Sequence, residues 1–171
     1  HAAFPKEPFL LKLSRIYRDA RRLHGNGPYK DHLWFCVRAG GEDWTGRPTF
    51  YFEIGPDYYS YGMGFWAPKA ALMEAYRKAV DEHPEVLEKL VKRFNKQAQF
   101  TLSGPEYARK KTAPSPLLAA WYNKKSINLQ HDAAPDERMF SQELAQDIIE
   151  GFRTLMPLYK YFDALCAAEM V

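Results

Sequence analysis

An α+β fold, an antiparallel meander sheet packed against several helices in a single compact domain, is predicted by three observations. Apolar residues alternate with period two between Leu33 and Trp66, apolar stripes at helical spacing follow from Leu72 onward, and strands precede helices without β-α-β alternation. With 171 residues, of which 46% are hydrophobic and 15% aromatic, the chain can bury one sizeable core, and one domain over residues 1–171 is expected.

Phe9 to Leu23 mixes apolar and basic positions without a clean period, so helix and extended backbone both fit it, and Gly25, Gly27 and Pro28 impose a turn. In the first strand, Leu33, Phe35 and Val37 share one face and Trp34 and Cys36 the other. Gly40, Gly41, Gly46 and Pro48 mark a loop before Thr49 to Ile54, where Phe50, Phe52 and Ile54 alternate with Tyr51 and Glu53. Gly55-Pro56-Asp57 turns the chain into a third strand, Tyr58 to Trp66, with Tyr59, Tyr61, Met63 and Phe65 on its core side. Gly62 and Gly64 fall opposite, where missing side chains permit close approach, and close packing of a helix is the expected reason.

Pro68 suits the first turn of a helix carrying Leu72, Met73, Tyr76 and Val80, and His83-Pro84 ends it and starts another with Leu87, Leu90, Val91 and Phe94. Phe100 to Leu102 reads as a short strand, Leu117 to Tyr122 as a short helix, and Ile127 and Leu129 as part of a further strand. A C-terminal helix is expected with Phe140, Leu144, Ile148 and Phe152 on one face and a kink or restart at Pro157.

The net charge of +3 is low for nucleic-acid binding, which stays a weak alternative, so local clustering of charge matters more than the total. Cys36 and Cys166 lie too far apart for a secreted disulfide framework, and reduced thiols and a cytoplasmic location are expected. No apolar run approaches a membrane span. His24 and His32 have no metal-binding spacing and His131-Asp132 is a single pair, so neither a metal nor a cofactor is expected. No Gly-x-Ser-x-Gly elbow supports a nucleophile, and Cys36 reads as a small buried hydrophobe.

The densest charge lies from Arg15 to His32, around Gly25-Asn26-Gly27-Pro28, a turn without the ending of a Walker loop. Guanidinium forks match carboxylate and phosphate oxygens, so a binding module for a small ligand carrying either group is the leading expectation. Its candidate residues are Arg15, Arg18, Asp19, Arg21, Tyr29 and Lys30, with Lys125 joining from the later strand. It requires cations clustered in a concave site and fails where the arginines scatter to local carboxylates. The alternatives are an enzyme that uses the same cluster as a transition-state clamp, with Asp19 or His32 as acid or base, and a protein interaction domain. The oligomeric state is left open. Tyr58, Tyr59, Tyr61 and Trp66 could stack a base or sugar, with Tyr58 and Trp66 on the face away from the core. Lys110, Lys111, Lys124 and Lys125 form a second basic group.

Arg18-Asp19-Ala20-Arg21, Pro28-Tyr29-Lys30, the stretch from Phe50 to Val80 and the stretch from Leu102 to Leu129 together resemble the uncharacterised family called domain of unknown function 2461. The resemblance implies one α+β domain found mainly in cytoplasmic proteins and brings no established activity. The chain departs from it at Arg22-Leu23-His24-Gly25-Asn26-Gly27, where the family usually has Phe-Ser-Lys-Asp-Lys-Ser, and matches its Leu-Lys-Arg-x-Pro-x-Gly stretch only loosely at Tyr107 to Lys111. The family's Asn-x-Arg-x-Trp-Phe helix is not found before Arg15, which implies a further N-terminal part ahead of His1.

Overall fold

The computed structural model describes residues 4–5, 7–19, 21, 27–40 and 44–168. The Gly25-Asn26 part of the basic turn, with Arg22 and His24, lies outside the described residues, as do Gly41 and His1. The strands are β1 (Phe9–Leu13), β2 (Leu33–Ala39), β3 (Pro48–Ile54), β4 (Tyr59–Phe65), β5 (Thr101–Ser103) and β6 (Asn128–Ala133). The helices are α1 (Ala70–Glu82), α2 (Pro84–Phe94), α3 (Ala119–Tyr122) and α4 (Gln142–Ala168). All six strands pair antiparallel in the order β1-β2-β3-β4-β6-β5. The first four form the expected meander, and the α1–α2 hairpin occupies the crossover between β4 and β5. The molecule is α+β, as its sequence predicts.

Alternation sets the two faces of the sheet. Phe50, Tyr61, Met63 and Leu129 point into the core, where α4 lies across β3 and β4 and contacts α1 and α2. Phe50 is fully buried, its ring stacked on Phe152 at 4.7 Å and Tyr159 at 4.9 Å. Leu72, Met73, Tyr76 and Val80 of α1 and Leu87, Val91 and Phe94 of α2 are buried, matching the stripes in the sequence. Arg47 donates twice to the Asp163 carboxylate, at 3.0 and 2.5 Å, and ties the loop before β3 to α4.

Four expectations are resolved or corrected. Of the ambiguous Phe9 to Leu23 segment, Phe9–Leu13 is a strand: its backbone pairs with β2, and its four exposed positions fit an edge. Phe140 is not in the C-terminal helix and is 93% exposed. The Ser141 hydroxyl accepts from the Glu143 amide at 3.1 Å and starts α4 at Gln142, two residues beyond Phe140. Pro157 does not break α4, which runs continuously to Ala168. The missing donor at Pro157 would have bonded the carbonyl of Arg153, an exposed residue whose carbonyl water can satisfy. Finally, no helix explains Gly62 and Gly64. A Cβ at Gly62 would stand 1.9 Å from the Leu129 carbonyl oxygen, and one at Gly64 would stand 2.0 Å from Asn128 Oδ1. The neighbour that comes close is strand β6.

Candidate functional site: the open face of the sheet

Register places three rows of side chains on the face opposite the core. The first row runs Trp34, Glu53, Ser60, Asp132, and the second runs Lys12, Cys36, Tyr51, Gly62, Gln130, Thr101. The third is Thr49, Gly64, Asn128, Ser103. Gly64 adds no side chain to the floor, and the aromatic residues Trp34, Tyr51 and Trp66 line the space around it. The result is a concavity of about 430 Å³, lined also by His32, Glu53, Asn128 and Gln130. That volume falls in the range of small-molecule sites.

The polar groups of this face differ in how firmly they are held. Gln130 donates to Asp132 at 2.7 Å and accepts from Ser103 at 2.6 Å, so its carboxamide is fixed. The Tyr51 and Ser60 hydroxyls are 3.2 Å apart. Burial pushes the Tyr51 phenol up, the Ser60 contact offsets part of this, and the carboxylates of Asp132 and Glu53 add to the rise. Glu53 accepts a short hydrogen bond from Tyr58, which, with some desolvation, pushes the Tyr58 phenol up to about 12. The Asn128 carboxamide has no hydrogen-bond partner among the described residues. Burial also pushes the Cys36 thiol up against the opposing effects of Arg38 and Lys12, so it is a poor nucleophile at neutral pH.

His32 lines the concavity with its Nδ1 2.8 Å from Asp31 Oδ1. That hydrogen bond, the largest cause, holds the Asp31 carboxyl below its ordinary value. An ionised Asp31 accepts from Nδ1–H, which leaves Nε2 as the ring nitrogen able to hydrogen-bond a ligand.

Besides His32, the basic segment brings Lys30 to this face. Lys30 Nζ lies 5.8 Å from the centre of the Trp34 ring, at the rim. An isolated bridge between Tyr17 and Tyr29, with rings 5.4 Å apart, extends the β1–β2 pairing and holds Pro28-Tyr29-Lys30 there. Arg18 donates to the Tyr29 carbonyl at 2.6 Å and pairs with Asp31 at 3.4 Å, while Arg21 forks onto Asp19 at 3.0 and 2.8 Å. Arg15 is exposed. Arg18 and Arg21 are thus matched to local carboxylates instead of converging, and exposed pairs of this kind contribute little to stability.

Lys125 is not brought to this group. It precedes β6 at the end of the sheet opposite the one where Lys30 enters β2, and three strand spacings, about 14 Å, separate the two strands laterally. Its ammonium lies 5.8 Å from the Tyr107 ring, where Arg77 also stacks at 4.5 Å. Lys124 is buried, donating to the Gly104 carbonyl at 3.0 Å and to Glu106 at 3.2 Å, and Lys110 pairs with Glu106 at 2.8 Å. The second basic group is therefore bound up with its own surroundings.

A second, apolar groove of about 350 Å³ lies between β1, β2 and α4, lined by Phe4, Phe9, Phe35, Ile148 and Phe152, with Glu7 at its edge paired to Lys160 at 2.6 Å. Among the described residues there is no cluster of three or more His, Cys, Asp or Glu able to hold a metal, and no helix long and apolar enough to cross a membrane.

Trp34, Tyr51, Glu53, Asn128 and Gln130 escaped the sequence-based site list. The signal was present: non-core positions of successive strands carry Trp, Tyr and two glycines among their charges.

The fold and this face define an α+β domain with a helical core side and an open, aromatic and polar concavity. Residues 1–161 match the family described as conserved hypothetical protein (DUF2461), and the chain belongs to that family. A comparison with curated proteins finds no match.

Proposed function

We propose that this protein is a binding module for a small anionic ligand, seated on the open face of the sheet with its phosphate or carboxylate at Lys30 and His32. The observation that carries this reading is the concavity itself, where aromatic walls and an unpartnered carboxamide surround a floor that includes Gly64, with Lys30 close to the Trp34 wall. Arg18 stands behind the rim and positions it: its bond to the Tyr29 carbonyl fixes the backbone next to Lys30. Arg15, Asp19, Arg21 and Lys125 are assigned no direct contact.

The test is a thermal-shift panel of organic phosphates and carboxylates. Ligand at a hundred times its Kd stabilises the folded state by about 2.7 kcal/mol. Lys30→Ala removes a charge-assisted hydrogen bond and is expected to weaken binding by about 1.5–3 kcal/mol, a loss of roughly 10- to 150-fold. Lys125→Ala is expected to bind like the wild type. Stabilisation by no anion, or loss in Lys125→Ala but not in Lys30→Ala, contradicts the proposal.

A further inference from the structure

We infer that the ligand is a sugar acid, a monosaccharide ring bearing a carboxylate or phosphate; this rests on the site proposed above and specifies what occupies it. The floor is built from groups that both donate and accept hydrogen bonds: the hydroxyls of Thr49 and Tyr51 and the carboxamides of Asn128 and Gln130. Sugar hydroxyls have the same dual character, so each can satisfy a floor group without a fixed donor-acceptor order. A fatty or aryl acid would cover the Asn128 carboxamide without pairing it, at a cost of about 1–3 kcal/mol for a buried group left unmatched.

The walls fit the other half of a sugar. A pyranose presents flat patches of C–H hydrogens, polarised positive by the ring oxygens, and these pack against the negative face of an indole. Trp66 offers such a face at the mouth, where it is 80% exposed, an unusual state for so large an apolar side chain. The Glu53 carboxylate, oriented by Tyr58, can accept from hydroxyls, whereas it would repel a second acid group. The ligand therefore carries its charge at one end, by Lys30, and hydroxyls along the rest.

Intrinsic tryptophan fluorescence and saturation-transfer NMR, with D-glucuronate and D-glucose 6-phosphate against succinate and inorganic phosphate, test this on the whole chain. The sugar acids are expected to bind at least about tenfold tighter than the plain acids, and Trp66→Ala, whose exposed site leaves the fold intact, to reduce that advantage by about tenfold. Equal affinity for sugar acids and plain acids overturns the sugar assignment and leaves the anion site standing. Methyl glucoside binding as tightly as glucuronate upholds the sugar and overturns the acid-reading rim. Binding of none of these probes overturns both.

Discussion

Phe50→Ala is expected to remove about 3–5 kcal/mol of folding stability, the upper range for deletion of a buried aromatic ring. Phe50 has no exposed surface, and its ring is the point where the sheet meets α4: Phe152 and Tyr159 stack on it, and Phe9 approaches edge-on at 6.0 Å. Alanine leaves a void under the middle of β3, and the rings around it belong to different elements that cannot close in together without moving the helix. For a chain of this size each kcal/mol lowers Tm by about 2–4 °C, so a fall of roughly 6–20 °C should accompany the change. Denaturant unfolding followed by circular dichroism measures it, and a loss below about 1 kcal/mol would show that Phe50 is not the keystone described.

Gly62→Ala is expected to destabilise by about 1–3 kcal/mol, against the usual direction for glycine in a strand, where alanine gains about 0.5–1 kcal/mol. Position decides the sign. The added Cβ meets backbone, the Leu129 carbonyl oxygen at 1.9 Å and the Gln130 Cα at 3.0 Å, so β4 and β6 must separate to admit it. Gly64→Ala provides the contrast. Its closest contact is the Asn128 carboxamide at 2.0 Å, the end of a side chain that can rotate away, with Asn128 Cα next at 3.1 Å. We expect Gly64→Ala to be the milder change in stability but to displace Asn128 and impair ligand binding. Equal destabilisation by the two substitutions would mean that the floor is simply tight packing.

Much of this fold was legible because local chemistry and tertiary structure agree. Phe50, Phe52 and Ile54 alternate in the sequence and share a face in the sheet, and the α1 stripe from Leu72 to Val80 is buried as its spacing requires. Phe9–Leu13 was not legible: on an edge strand with exposed leucines on both faces, alternation carries no signal. Phe140 misled because it stands four residues before Leu144, and the competing instruction, the Ser141 cap, is a short polar signal easily outweighed by a large apolar one.

The site was half legible. Alternation alone puts Trp34, Tyr51, Glu53, Gly62 and Gly64 on one face, but which face the helices cover follows from the crossover between β4 and β5, and that is a property of the whole chain. Charge is conspicuous in sequence, yet Asp19 stands two residues from Arg21 and Asp31 sits across the ribbon from Arg18, so these two arginines met carboxylates on folding. Lys30 kept its place in the account because the Tyr17–Tyr29 bridge carries it to the edge of the open face.

The most direct test of that account is a ¹H–¹⁵N NMR titration of the wild-type chain with D-glucuronate. The open-face site predicts shifts concentrated at the indole N–H groups of Trp34 and Trp66, the side-chain amides of Asn128 and Gln130, and the backbone of Lys30 to Trp34. Shifts confined to Arg15, Arg18 and Arg21 or to the groove by Phe9 and Phe152, with the open face silent, would contradict it.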